Sequence, residues 1–546
     1  MNLERHQRPA AREVLRRMGR QQQEEEEKEG LVVAPPPVKP EGLFGTRHVL
    51  GLMGFLGFAN VYAMRVNLSV AVVAMVNSSA IPHVNTSTPE ACPDTGQNSS
   101  SHHSTQDGEF AWDENEQALI LGAFFWGYVI TNPLGGRLGE VVGGKVVFCV
   151  GVLVTAVLTL LTPVVARTST TLFIALRVIE GLGEGVTFPA MNSMLARWIP
   201  PFERSRASSF IYTGSQVGTV ISMPISGLLC QSSFLGGWPS VFYLFGALGV
   251  LWCIAWMFLI HDDPEKHPRI NLDELTYIQH SLNRSATSKV RPFPLVHVLT
   301  SLPFWAIVVA HVAQNWGFYT LLTEMPTYMK NILRFDIAHN SFMSALPYLV
   351  MWLFSMVVGQ LADYLQTSGR LSTANTRRLF NSIGIYGPMV CLVLVGYAGC
   401  NRTIAITLLC LGVGLNGATF SGYINSHLDI APNFAGTLMG LTNCAATVPG
   451  FVAPMVAGAL INGKETVGQW KLVFWIAGIV YLVGNTFYII FLSGEKQYWN
   501  DLPADSNNGT QSEGAYGTFL GTDEVDRGTQ GSQSATSQPA KLPEIF

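Results

Sequence analysis

Arg177, Glu180 and Glu184 lie in Leu176-Arg177-Val178-Ile179-Glu180-Gly181-Leu182-Gly183-Glu184-Gly185-Val186, a stretch otherwise apolar enough to sit in a membrane. At about 100° per residue on an α-helix, their i, i+3, i+7 spacing puts all three on one narrow face. One cation and two carboxylates turned towards lipid would be very unfavourable, so this face must line a polar path or meet another helix. The chemistry such a face suits is proton exchange. A carboxyl taken out of water holds its proton more tightly, and a guanidinium beside it favours the ionised form. That asymmetry lets one glutamate stay charged as the partner of Arg177 while the other exchanges a proton. Glu184 is the favoured exchanging group, and a static bridge of all three is the alternative.

Two further sets of residues suit anion binding. Arg65 follows about sixteen mostly apolar residues, too deep to reach the interface easily, and its planar fork matches a carboxylate. Tyr62, one turn earlier, can donate to the same anion. His311, Asn315 and Tyr319 recur every four residues and form a polar stripe suited to hydroxyl groups.

The elements that must position these residues follow from composition. The chain has 546 residues, 48% of them hydrophobic and only 13% charged, a membrane-protein balance. A net charge of −4 carries no nucleic-acid signal. Apolar stretches long enough to span a bilayer fall at 48–76, 114–137, 144–165, 170–198, 207–231 and 239–260, and again at 300–329, 340–364, 378–399, 403–425, 434–461 and 470–493. The expected fold is therefore all-α, with twelve transmembrane helices in two pseudo-symmetric six-helix bundles. The segments are an N-terminal tail (1–46), a first bundle (47–260), a polar linker (261–298), a second bundle (299–494) and a disordered tail (495–546). Basic residues fall on alternate loops with both termini, at Arg137/Lys145, Arg197/Arg204/Arg206, Lys266/Arg269 and Arg370/Arg377/Arg378, which places those loops, the linker and the tails in the cytosol.

The loop at 77–113 lies on the opposite side and carries three glycosylation sequons, at Asn77, Asn85 and Asn98. Cys92 and Cys400 both fall in outer loops, where one disulfide is compatible with the topology. The halves echo one another. Gly136-x-Leu138-x-Glu140-x-x-Gly143-x-Lys145 follows the second span, and Gly359-Gln360-Leu361-Ala362-Asp363 follows the eighth. Arg137, Glu140, Lys145 and Asp363 read as a cytosolic latch that pairs in one conformation and opens in the other. Duplicated halves with a site between them are a transporter plan.

The glycine-acid-basic loop is similar to the signature of the major facilitator superfamily. Longer motifs narrow the resemblance: Tyr62-Ala63-Met64-Arg65-Val66-Asn67, Phe125-Trp126-Gly127-Tyr128, Glu180-Gly181-Leu182-Gly183-Glu184-Gly185, Pro201-Phe202-Glu203-Arg204-Ser205, Asn425-Ser426-His427-Leu428-Asp429 and Gly494-Glu495-Lys496-Gln497. They resemble the anion:cation symporter family of sialin, the vesicular glutamate transporters and the type I sodium-phosphate cotransporters, and most of all its sialin branch. The resemblance implies alternating-access export of sialic acid and other acidic sugars from the lysosome, with H+ as coupling ion. It also implies Arg65 as carboxylate anchor and proton coupling through Glu180 and Glu184; Tyr62, Arg177, His311, Asn315 and Tyr319 are the further candidates around the substrate. Sodium-dependent transport of phosphate or organic anions, and vesicular loading of acidic amino acids, are the alternatives. Glutamate transporters of the family typically carry a histidine where this chain has Leu121 and an arginine where it has Gln314, which weakens the glutamate reading.

No catalytic or metal-binding motif is visible, so an enzyme is not expected and no cofactor or metal is called for beyond the coupling ion. The expected partners are a small organic anion, the lipid bilayer and sorting adaptors reading Tyr516-Gly517-Thr518-Phe519 or Glu27-Lys28-Glu29-Gly30-Leu31-Val32. A lysosomal membrane is the first expectation for location, with plasma membrane or synaptic vesicle as alternatives. His427 and Asp429 are expected to cap the cytosolic end of the tenth span.

Overall fold

The structure, a computed structural model, describes residues 45–77, 108–112, 114–282, 292–333, 337–461 and 466–501. The sequons at Asn85 and Asn98 and both sorting patterns lie outside these residues. In the first half the chain runs through α1 (Thr46–Met75), α2 (Glu114–Leu138), α3 (Gly144–Thr168), α4 (Thr170–Glu184) with α5 (Thr187–Trp198), α6 (Arg204–Tyr212) with α7 (Gly214–Gln231), and α8 (Pro239–Leu259). Two short helices, α9 (Leu272–Leu282) and α10 (Leu295–Leu299), lie between the halves. The second half comprises α11 (Leu302–Asn331), α12 (Ile337–Thr367), α13 (Thr373–Val395), α14 (Arg402–Asn416) with α15 (Tyr423–Ile430), α16 (Ala435–Thr447) with α17 (Pro449–Ile461), and α18 (Val467–Phe491).

Among the described residues twelve helical units result, six in each half. Four of them, expected as single spans over 170–198, 207–231, 403–425 and 434–461, are instead pairs of helices meeting at a bend. Local features mark three of the four bends. Pro449, which has no N–H to donate, opens α17. A 3₁₀ turn at Gly417–Phe420 separates α14 from α15. Beside the α4/α5 bend, a Cβ on Gly185 would sit 2.5 Å from the Tyr128 carbonyl oxygen. Only a residue without a side chain lets α4 cross α2 that closely, and this contact fixes the depth of Glu184 against α2.

The linker is more ordered than a polar connector. The Glu274 carboxylate of α9 accepts hydrogen bonds from the Thr46 N–H (2.8 Å), the Thr46 hydroxyl (2.8 Å) and the Arg47 N–H (3.2 Å), so it caps α1 from outside that helix. Arg47 is shared between Glu274 (3.0 Å) and Glu203 (3.0 Å). Burial opposes ionisation of Glu274, but the donors on Thr46 and Arg47 prevail and hold its carboxyl below the usual range.

At the opposite end of the molecule Asn77 donates its backbone N–H to Phe110 (2.8 Å), which pins the chain leaving α1. Beside it Glu109 takes a fork of two 2.9 Å hydrogen bonds from Arg167 and one of 3.2 Å from Trp238. The Arg167 hydrogen bonds hold the Glu109 carboxyl below its ordinary value of 4.5. A lowered folded value means that the pair stabilises the protein above the unfolded value and is lost as pH falls through the folded one. Glu109→Gln should therefore destabilise the protein at neutral pH by about 1 kcal/mol or less for so exposed a pair, and lower its melting temperature accordingly. The gap from wild type should close only in acid below pH 4.5. Melting curves across pH check this, and a gap that closes near neutrality contradicts it. Cys400 is disulfide-bonded, and Cys149, Cys230, Cys253, Cys391, Cys410 and Cys444 are free.

Candidate functional site

Arg65 sits near the middle of α1 with its guanidinium against three aromatic faces, 4.6 Å from the Tyr62 ring centroid, 4.9 Å from Phe124 and 4.8 Å from Tyr128. Its ion-pair partner is Glu184, at the end of α4. The Glu184 side chain is wholly buried. Ring faces offer partial negative potential to the cation without adding a formal charge, so the pair is held in an apolar setting.

A cavity in two lobes, of about 60 and about 30 Å³, opens beside this pair. Tyr62, Gln216, Phe318 and Tyr319 line both lobes. Arg65 lines the smaller, and Tyr128, His311, Asn315 and Asn443 the larger. Tyr62, Arg65, His311, Asn315 and Tyr319 are thus brought together around one space. Asn315 spends its amide on the Ala446 carbonyl (2.7 Å), which leaves its oxygen for other donors. Gln314 is consumed by the protein: it accepts from Tyr423 (3.2 Å) and donates to Asn416 (2.9 Å). Among the described residues lining either lobe, Arg65 is the one with a fixed charge.

Arg177 and Glu180 are placed elsewhere. Arg177 does not line the cavity but binds Glu180 at 2.5 Å, and Glu180 also accepts from Thr159 of α3 at 3.2 Å. The Phe124 ring touches the guanidinium groups of both Arg177, at 5.3 Å, and Arg65. The three charges that share a helical face therefore divide into an ion pair against α3 and a single carboxylate reaching α1.

At the end carrying the basic loops the two halves are joined by reciprocal capping. Glu140 accepts from the Thr437 N–H and hydroxyl, both at 2.7 Å, at the start of α16, with Arg137 beside it at 3.2 Å. Asp363, from the other half, accepts from the backbones of Ser205 (3.1 Å) and Arg206 (2.8 Å) at the start of α6. Each acid thus caps a helix of the opposite half, where the helix dipole favours negative charge. Lys145 takes no part in this crossing. Its N–H goes to Asp262 (2.8 Å) and its carbonyl to Trp256 (3.0 Å), both in its own half or the linker. Close approach is again required where Gly136 meets Gly436, since a Cβ on Gly136 would lie 2.6 Å from Thr437 Cα.

The sequence reading missed part of this end. Asp429 is not a cap. It bridges Arg377 (2.7 Å) and Arg204 (3.4 Å), and Arg377 also donates to Ser205 at 2.8 Å. His427 points the other way, into the protein, with its Nε2 2.8 Å from the Thr442 hydroxyl. Asn443 closes the floor of the cavity by donating to Tyr128 (3.0 Å) and Asn132 (2.7 Å). The sequence carried no signal for the role of Asp429, because Arg204 and Arg377 read as loop cations and only their burial calls for a shared acid.

If Glu140 is a latch, Glu140→Ala should shift the protein towards a form open at this end, by about tenfold for two lost hydrogen bonds. The check is the alkylation rate of a cysteine introduced at Ser209, which is buried here. An unchanged rate removes Glu140 from the latch.

The model of the Major Facilitator Superfamily matches residues 50–454. A Drosophila melanogaster protein named as an inorganic phosphate cotransporter is 47% identical over 470 residues, covering 86% of this chain and 88% of its own. Homo sapiens sialin is 47% identical over 453 residues, covering 83% and 90%. Xenopus laevis vesicular glutamate transporter 1 is 36% identical over 497 residues, covering 87% and 82%. Among solved structures, the proton:xylose symporter XylE bound to 6-bromo-6-deoxy-D-glucose superposes with a TM-score of 0.64 at 13% identity, over 82% of this chain and 97% of that one.

Proposed function

Because the chain belongs to the Major Facilitator Superfamily, and within it to the family of sialin, the vesicular glutamate transporters and the inorganic phosphate cotransporters, we propose that this multi-pass secondary transporter couples a proton to an organic monoanion through one ion pair, Arg65–Glu184. The observation that carries the reading is the position of that pair: a guanidinium on the cavity wall whose partner is a buried carboxylate. An incoming substrate carboxylate and Glu184 compete for the same fork. Protonating Glu184 removes the competitor, so proton and anion bind together and leave together, and the coupling needs no third group.

The substrate class follows from what surrounds Arg65. A single fixed charge beside Tyr62, His311, Asn315 and Tyr319 matches a molecule with one carboxylate and a body rich in hydroxyls, such as sialic acid or another acidic sugar. Human sialin, named for such a substrate, supports the same choice. A dicarboxylate would need a second cation, and Gln314, whose amide is fully used, does not provide one.

In this reading the basic loops face the cytosol, the reciprocal caps of Glu140 and Asp363 seal that side, and the anion enters from an acidic lumen, that of the lysosome. Proteoliposomes loaded at neutral pH and diluted into acid should take up radiolabelled sialic acid, and replacing sodium by choline should leave the uptake unchanged. Uptake indifferent to the pH step sinks proton coupling. Uptake of inorganic phosphate that needs sodium would establish the second reading, for which the Drosophila relative is the supporting observation.

A further inference from the structure

Three side chains from three helices form an unbroken polar chain that ends at the cavity. The His427 ring of α15 places Nδ1 2.9 Å from the Ile424 carbonyl oxygen and Nε2 2.8 Å from the Thr442 hydroxyl of α16. The same hydroxyl lies 3.2 Å from Nδ1 of His311 on α11. His311 lines the larger lobe, and its ring lies against Tyr423, with centroids 4.8 Å apart. Among the described residues no hydrogen-bonding group meets His311 Nε2.

The chain sets the direction of every hydrogen bond in it. A carbonyl oxygen only accepts, so His427 Nδ1 carries the proton and donates to Ile424. In the neutral ring Nε2 then holds a lone pair, and the Thr442 hydroxyl donates to it, in preference to the Met439 carbonyl at 3.2 Å. With its one proton committed, the Thr442 oxygen accepts from His311 Nδ1–H. The remaining nitrogen of His311, Nε2, is left as a bare acceptor. No carboxylate intervenes to favour a charged ring. Asp429, two residues beyond His427, is taken by Arg377 and Arg204.

We propose that His311 presents its unprotonated Nε2 to the substrate as a hydrogen-bond acceptor, held in that tautomer by Thr442 and His427, and so selects anions that carry a hydroxyl or N–H donor. His311 is the residue that touches substrate; Thr442 and His427 are positioning residues acting through it. Arg65 recognises the charge of the substrate, and His311 reads its neutral body at the other end of the same space. The inference rests on the acidic-sugar reading above and deepens it. Without the chain, the imidazole is free to turn its N–H outwards, and the preference for donors is lost with no change in charge.

The test uses the full-length protein in proteoliposomes, with radiolabelled sialic acid as transported probe and two competitors, glucuronate and glucuronate with its hydroxyls O-methylated. In wild type the methylated competitor should be weaker by about tenfold, the worth of one hydrogen bond left unmade at a buried group. Thr442→Val keeps shape and removes the hydroxyl. It should raise KM for sialic acid about five- to tenfold, hold the maximal rate within about twofold, and shrink the difference between the competitors. Thr442→Ser should restore both, and adding His427→Phe to Thr442→Val should cost little more. A Thr442→Val protein that still separates the two competitors as wild type does overturns the inference while leaving the transport reading intact. A wild-type protein that does not carry sialic acid overturns both. Should the valine variant fail to insert, single-deoxy analogues tested on wild type decide the matter: if every one competes as well as the parent acid, no donor is being read and the inference fails.

Discussion

Glu184→Gln should abolish pH-driven net uptake while leaving anion exchange across the membrane running. Glutamine has the shape of a protonated glutamate and cannot ionise, so the variant is fixed in the state in which Arg65 is free for substrate. Two consequences separate this outcome from general damage. First, apparent affinity for sialic acid should lose its dependence on pH and should resemble that of acid-treated wild type throughout. Second, removing Glu184 leaves a buried guanidinium without its counter-charge, a defect usually worth about 3–5 kcal/mol. The substrate carboxylate supplies the missing charge, so sialic acid should raise the melting temperature of Glu184→Gln more than that of wild type. Glu180→Gln supplies the contrast. Glu180 is bound to Arg177 and Thr159 away from the cavity, so its loss should lower stability while the remaining transport keeps its pH response. A Glu184→Gln protein with wild-type pH-driven flux would move the coupling proton to another group.

That contrast marks how far the sequence could be read. Charges at depth in Leu176–Val186 were visible from residue types alone, because an apolar stretch makes three ionisable groups conspicuous. The helical period also put them correctly on one side of α4. What the period could not supply was the partner of each, since positions a turn apart along the same face meet different helices, Glu180 reaching α3 and Glu184 reaching α1. The same limit explains Arg177, expected at the substrate and found paired with Glu180 away from the cavity. The spans were legible from length and hydropathy, but not the bends within four of them, three of which fall at a glycine, a proline or a 3₁₀ turn.

His427 and Asp429 cannot share one role on their helix. Residues two apart on a helix point about 200° from one another, so a shared capping role was never available to both. One turns inward to Thr442 and the other reaches Arg377 and Arg204. The contacts between the halves were legible in part. Glu140 and Asp363 occupy equivalent places in the two repeats, and each caps a helix of the other half. Lys145, equally prominent in the motif, is held through its backbone. The motif marks a loop that must be shaped as well as charged, and spacing does not say which of its residues does which.

Arg65→Lys should weaken sialic acid binding by about 10- to 100-fold, although the charge is kept. A guanidinium offers parallel N–H donors in the plane of a carboxylate and a flat face to aromatic rings; an ammonium offers a compact charge that prefers water or a full shell of oxygens. The three rings around Arg65, at 4.6 to 4.9 Å, suit the first and leave the second poorly solvated. A lysine here would still pair with Glu184, so folding and the proton site should survive, and the loss should fall mainly on KM at acid pH, where Glu184 no longer competes. At neutral pH wild type and variant should differ less, because in both the cation is held by Glu184. The measurement is KM for radiolabelled sialic acid on both sides of the pH step. An affinity ratio that is the same at both pH values would mean that Glu184 and the substrate do not share Arg65, and the coupling would have to pass through some other contact.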